Sequence, residues 1–133
     1  MPAFLIDTDW VIDHFNGILK ATGRLRELQP RGLAVSIISV AELWEGVHFS
    51  RDPAQSQAQL QRFLEGLIVL GFDEATCKRF GQLRGELRIP GQTVGDFDLL
   101  IAATALVHDL TLLTNNRRHF ERIRDLRVES AAP

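Results

Sequence analysis

Four short apolar runs punctuate the chain, and each is followed by residues that start a helix or a turn. Ala3-Phe4-Leu5-Ile6 is apolar without alternation and stops at Asp7, which suits a strand buried on both faces. Asp7-Thr8-Asp9 then opens a helix through about Phe15, because Asp and Thr cap orphan backbone amides and apolar residues follow at helical spacing. Gly17 interrupts it, and a second helix runs from about Ile18 to Leu28, ended by Pro30. Leu33-Ala34-Val35-Ser36 reads as the next strand and leads into a helix from about Ile37 to Phe49. Asp52-Pro53 opens another helix that ends near Gly66.

Leu67-Ile68-Val69-Leu70 is a third strand by its β-branched content, followed by a helix from about Asp73 to Arg88 that Pro90-Gly91 closes. A loop with Gly91 and Gly95 precedes a helix from about Phe97 to His108, with Asp96 as its cap. Leu110 to Thr114 makes a fourth strand, Asn115-Asn116 a turn, Arg118 to Glu121 a helical turn, and Leu126-Arg127-Val128 a short edge strand. Strands alternating with helices predict an α/β fold, a mainly parallel sheet of about four or five strands covered by helices on both faces. Ligands of such sheets bind beyond the carboxyl ends of the strands. Asp7 and Asn115-Asn116 lie at two such ends, and Ser36, at a third, starts the helix that carries Glu42.

With 133 residues the chain is expected to form one domain over 1–133, so any active site must be built within a single core. No basic patch and apolar run resembling a secretory signal opens it, and Leu99 to Val107 is far short of a membrane span. The lone Cys77 cannot form an internal disulfide, and together these features predict a cytoplasmic protein without a membrane partner. A net charge of -2 argues against coating nucleic acid by bulk electrostatics. Local binding is still open, because Lys78, Arg79, Arg84 and Arg88 share one segment while Arg117, Arg118, Arg122, Arg124 and Arg127 crowd the carboxyl end.

The chemistry turns on three acids. Asp7 alone is explained by helix capping, and Glu42 by a capping box with Ser39. Ser36 is an equally good cap, however, and then Glu42 sits in the second turn with no capping task, on one face with Ser39 and Gly46. In Gly95-Asp96-Phe97-Asp98, capping by Asp96 leaves Asp98 free in the first turn. If the fold joins Asp7, Glu42 and Asp98, their like charges require a cation. Oxygen donors without a Cys/His set favour Mg²⁺ or Mn²⁺. Thr8, Ser39 and Thr114 are placed to hydrogen-bond the acids, and an amide or hydroxyl in Thr114-Asn115-Asn116 to orient water or act as a further ligand.

Phe4-Leu5-Ile6-Asp7-Thr8, Ser39-Val40-Ala41-Glu42-Leu43 with Gly46, Gly95 to Ala105, and Leu113-Thr114-Asn115-Asn116 with His119-Phe120 follow one another in this order. The pattern resembles the PIN-domain ribonucleases and, within them, the VapC toxins of bacterial type II toxin-antitoxin systems. The resemblance implies a three-layer αβα sandwich and a metal-dependent endoribonuclease in which Asp7, Glu42 and Asp98 hold Mg²⁺ or Mn²⁺. It also implies an RNA substrate, a VapB-like antitoxin occupying the crevice, and a homodimer or toxin-antitoxin hetero-oligomer. Many PIN domains have a fourth acid where this chain has Asn116, which makes Asn116 an orienting residue. Asp96 either caps its helix, the reading favoured here, or joins the metal ligands. Arg84, Arg88, Arg117 and Arg118 are the residues expected to meet RNA, with His119 beside them.

Asp7-Thr8-Asp9 also looks like the start of a haloacid-dehalogenase-type phosphatase with Asp7 as nucleophile. That chemistry needs a strand-end Ser/Thr and a lysine ahead of the last acidic motif, yet Thr114 follows that motif and no lysine lies beyond Lys78. A non-catalytic receiver-like module needs an Asp directly after the central strand and a later lysine. Leu70-Gly71-Phe72 stands there instead. A PIN domain acting only as a binding module is the remaining alternative, and the complete set of acids counts against it.

Overall fold

The computed structural model describes residues 1–87 and 94–131. The elements follow the apolar runs closely: β1 (Phe4–Ile6), α1 (Thr8–Phe15), α2 (Leu19–Leu28), β2 (Leu33–Ser36), α3 (Ile37–His48) and α4 (Pro53–Glu65) form the first half. The second half contains β3 (Ile68–Leu70), α5 (Glu74–Glu86), α6 (Asp96–Val107), β4 (Thr111–Leu113), the short α7 (Arg117–Phe120) and β5 (Val128–Glu129). Pro30 does not stop α2 abruptly, since Gln29–Arg31 continue it as a tighter 3₁₀ turn with the proline in its first positions. The expected edge strand sits slightly later than Leu126 to Val128. The expected closure of α5 by Pro90-Gly91 lies outside the described residues, as does Arg88.

The five strands are ordered β3-β2-β1-β4-β5, and every pairing is parallel. Side chains alternate across the sheet, so neighbouring residues enter opposite cores. Phe4, Ile6 and Leu113 join Trp10, Val11, Leu25, Leu43 and Leu60 beneath α1–α4. Leu5, Ala34 and Leu112 join Leu83, Leu99, Ala102 and Phe120 beneath α5–α7. This gives the three layers expected from the uninterrupted apolar strands. The amino terminus is fastened at Gly32, whose carbonyl accepts from the Ala3 and Phe4 amides. A β-carbon there would come within 2.7 Å of Pro2 Cα, and φ is +91°, so only glycine fits.

Parallel pairing aligns the carboxyl ends of β1, β2 and β4. The Asp7 amide donates to the Leu113 carbonyl at 2.9 Å, which joins the exits of β1 and β4 directly. Among the described residues, no helix is long and apolar enough to cross a membrane.

Candidate functional site

Asp7 ends β1 and caps α1, its Oδ1 accepting the Thr8 amide at 2.8 Å. Its other oxygen accepts the Thr114 hydroxyl at 2.7 Å, from the exit of β4. The residue is only 4% exposed, far less than capping alone requires. Burial, chiefly, pushes its carboxyl up to about 7. The Thr114 hydroxyl and Thr8 amide oppose that shift, while the charges of Asp9 and Asp98 add to it.

Asp9, in the first turn of α1, is also pushed upward by burial, with Asp13 and Asp98 contributing repulsion. Its Oδ2 accepts the Asn115 amide at 2.9 Å, but its Oδ1 is buried with no hydrogen-bond partner among the described residues. A buried carboxylate oxygen without a donor is costly, and a cation is the natural relief. Asp9 was not among the residues expected at the site. Its position in Asp7-Thr8-Asp9 reads as ordinary first-turn acidity, and only the fold turns it inward.

Glu42 reaches the same region from α3. Ser36, not Ser39, caps this helix, its Oγ accepting the Ile38 amide at 3.1 Å, so Glu42 has no capping task. Its Oε1 instead accepts the Thr8 hydroxyl at 2.8 Å, which links α1 to α3. Thr8 and Thr114 thus each donate a hydroxyl to one of the acids. Ser39 does not: its hydroxyl is fully buried and has no hydrogen-bond partner among the described residues.

Asp98 lies in the first turn of α6, within electrostatic reach of Asp7 and Asp9, and its Oδ2 is 2.7 Å from His119 Nδ1 on α7. Asp96 departs from expectation. Gly95 is the cap of α6 and offers no side chain, whereas Asp96 is exposed and bound by Arg84 of α5. Arg84 also donates to the Val94 carbonyl at 3.2 Å. The guanidinium therefore ties α5 to the start of α6, and Asp96 serves that tie instead of a cap.

The two asparagines make different contacts. Asn116 is exposed and caps α7 through its backbone only, and its side chain makes no hydrogen bond to the acids among the described residues. Asn115 turns inward instead. Its Oδ1 accepts Trp10 Nε1 at 2.9 Å and the Ala131 amide at 3.0 Å, and its Nδ2 donates to Asp13 at 3.3 Å. Adjacent identical residues in a turn give no pattern that tells which one faces inward. Arg117 and Arg118 are exposed on α7 at the rim.

Among the described residues, no three acidic, histidine or cysteine side chains converge closely enough to enclose an ion. Asp7, Glu42 and Asp98 approach from three elements, each held by a neighbour. Such a donor set fits Mg²⁺, which commonly takes one or two carboxylates and completes its octahedron with water and substrate phosphate. A groove of about 290 Å³ opens beside Glu42, lined by Ile12, Phe15, Gly46, Val47 and Leu60.

The PIN domain family model matches residues 4–126. The chain is 33% identical to the tRNA(fMet)-specific endonuclease VapC of Shigella flexneri, over 97% of this chain and 98% of that protein. It is 40% identical to ribonuclease VapC2 of Rickettsia felis over 74% of this chain and 73% of that one. The crystal structure of VapBC2 from Rickettsia felis, bound to a DNA fragment from the promoter, superposes with a TM-score of 0.89 at 33% identity. That match covers 96% of this chain and 98% of the other.

Proposed function

The chain belongs to the PIN-domain family, and from that premise we propose that it is the endoribonuclease toxin of a VapBC-type toxin-antitoxin pair, dependent on Mg²⁺ or Mn²⁺. The observation that carries the metal reading is Asp7, buried at the exit of β1 among Asp9 and Asp98 with no lysine or arginine paired to it among the described residues. The unpartnered Asp9 oxygen beside it points the same way.

Asp7, Glu42 and Asp98 would hold the ion, which when bound supplies activation of water and neutralisation of charge on the phosphoryl group. The chain's own residues supply position. Thr114 and the Thr8 amide fix both oxygens of Asp7, the Thr8 hydroxyl fixes Glu42, and His119 fixes Asp98. Each acid is thereby oriented before substrate arrives, so little ordering is needed during reaction. Arg117 and Arg118 at the rim offer charge to the RNA backbone, and Asn115 keeps the exit of β4 against α1.

The antitoxin's place is the apolar groove that runs up to Glu42, where an amphipathic segment can bury side chains and cover the acids together. Exposed Ile37, Ile68, Val69 and Phe72 offer apolar surface for a second copy of the chain.

The purified chain is expected to cut RNA with Mg²⁺ or Mn²⁺ and to stop when a chelator is in excess. Initiator tRNA is a first substrate to try, since the Shigella relative is named for it. Asp98→Asn should fold normally yet lose cleavage by about a hundredfold or more. Undiminished cleavage in chelator, or by this variant, would remove the metal mechanism.

A further inference from the structure

A cavity of about 550 Å³ lies between α5 and the segment following α7, and none of Asp7, Glu42 or Asp98 lines it. Its floor is apolar, formed by the buried Leu83 and Ile123. Around that floor stand three guanidinium groups, Arg79, Arg122 and Arg124. Arg24, Arg84 and Arg127 each have a carboxylate partner, but these three have none among the described residues. Arg79 donates only to the neutral Gln82, at 2.8 Å. Glu86 and Asp125 also face the cavity, without an ion-pair partner among the described residues.

Three arginines against two carboxylates leave the lining positive on balance, and none of the three guanidinium groups is held in an ion pair that a phosphate would have to displace. A guanidinium fork matches a phosphate. The apolar floor offers a surface to a base or ribose face, for which a bare anion has no use. The carboxylates and the Gln82 amide can accept from ribose 2′-hydroxyls, the group that separates RNA from DNA. The same helix that supplies Arg79 carries Arg84, whose contact with Asp96 lies two residues ahead of Asp98. α5 thus runs from this cavity to the edge of the acidic site.

We propose that the cavity is a second RNA-binding site, which grips the substrate backbone away from the scissile bond, with phosphates on Arg79, Arg122 and Arg124. The inference rests on the ribonuclease reading and adds to it where substrate length is sensed.

The test compares full-length Arg122→Ala/Arg124→Ala with Arg51→Ala/Arg62→Ala, which removes equal charge from exposed positions outside the cavity. Substrates are an RNA of about 20 nucleotides and one of about 4, a length that fills only one site. For the long RNA the cavity variant should raise KM about tenfold with kcat unchanged, and reduce the salt slope of binding by roughly 1.4, the loss of two single-strand phosphate contacts. The short RNA and the control variant should behave as wild type. Equal effects on both lengths, equal effects in the control, or no effect on the long RNA would overturn the proposal. If wild type leaves all RNA uncut, the ribonuclease reading fails instead, and fluorescence anisotropy with the same proteins and the long RNA still decides whether the cavity binds it. Thermal melts verify folding, and Arg79→Gln replaces the double variant if that variant unfolds.

Discussion

Asp7 shows at the scale of one residue how a capping position becomes chemistry. Its carboxyl lies near 7 in the folded chain, against 3.8 for a free aspartate, so folding takes up a proton between those values. The stability it contributes is complete below the lower value and is lost as pH rises through the higher one. Asp7→Asn, which keeps an oxygen for the Thr8 amide, should therefore stabilise the protein by roughly 1–3 kcal/mol at about pH 8 in chelator. The gain should vanish near pH 4, as thermal melts across pH will check. In the sequence Asp7 and Asp98 stand out at the starts of helices, and Glu42 as a second-turn acid with no capping task. The inward positions of Asp9 and Asn115 were not legible, because each is set by a partner far away in sequence, Asp9 by the Asn115 amide and Asn115 by the Trp10 indole.

The elements themselves were largely readable, since β1 to β4 are short, mainly apolar runs and α1, α3, α4 and α5 begin with a capping side chain. Errors arose where two residues competed for one local task. Asp96 had the chemistry of a cap, yet Arg84, brought close by the α5–α6 pairing, claims its carboxylate and leaves Gly95 at the cap. On α3 the choice of Ser36 over Ser39 frees Glu42 but buries the Ser39 hydroxyl without a partner among the described residues. Gly46, on the same helix, has nothing within 4 Å of where a β-carbon would stand and borders the groove beside Glu42. Gly46→Ala should raise stability by about 0.5–1 kcal/mol through helix propensity, measurable by denaturant unfolding. The added methyl enters the groove, so antitoxin affinity should fall in a titration.

Taken whole, the molecule places its acids at the aligned exits of β1 and β4 and draws two further helices, α3 and α6, to the same edge. The carboxyl end completes this arrangement, with Arg24 of α2 gripping Glu129 of β5 and the Ala131 amide reaching Asn115. Parallel topology was inferable from alternating strands and helices, and with it the shared crevice. The arginine-lined cavity was not, because its walls come from two segments whose apposition depends on how Ile123 packs beneath α5. Whether the acids bind a cation decides the mechanism. Calorimetric titration of Mn²⁺ into the purified wild type should give a saturable isotherm, and Asp7→Asn should weaken that binding by about tenfold or more. Isotherms that coincide for the two proteins would contradict it.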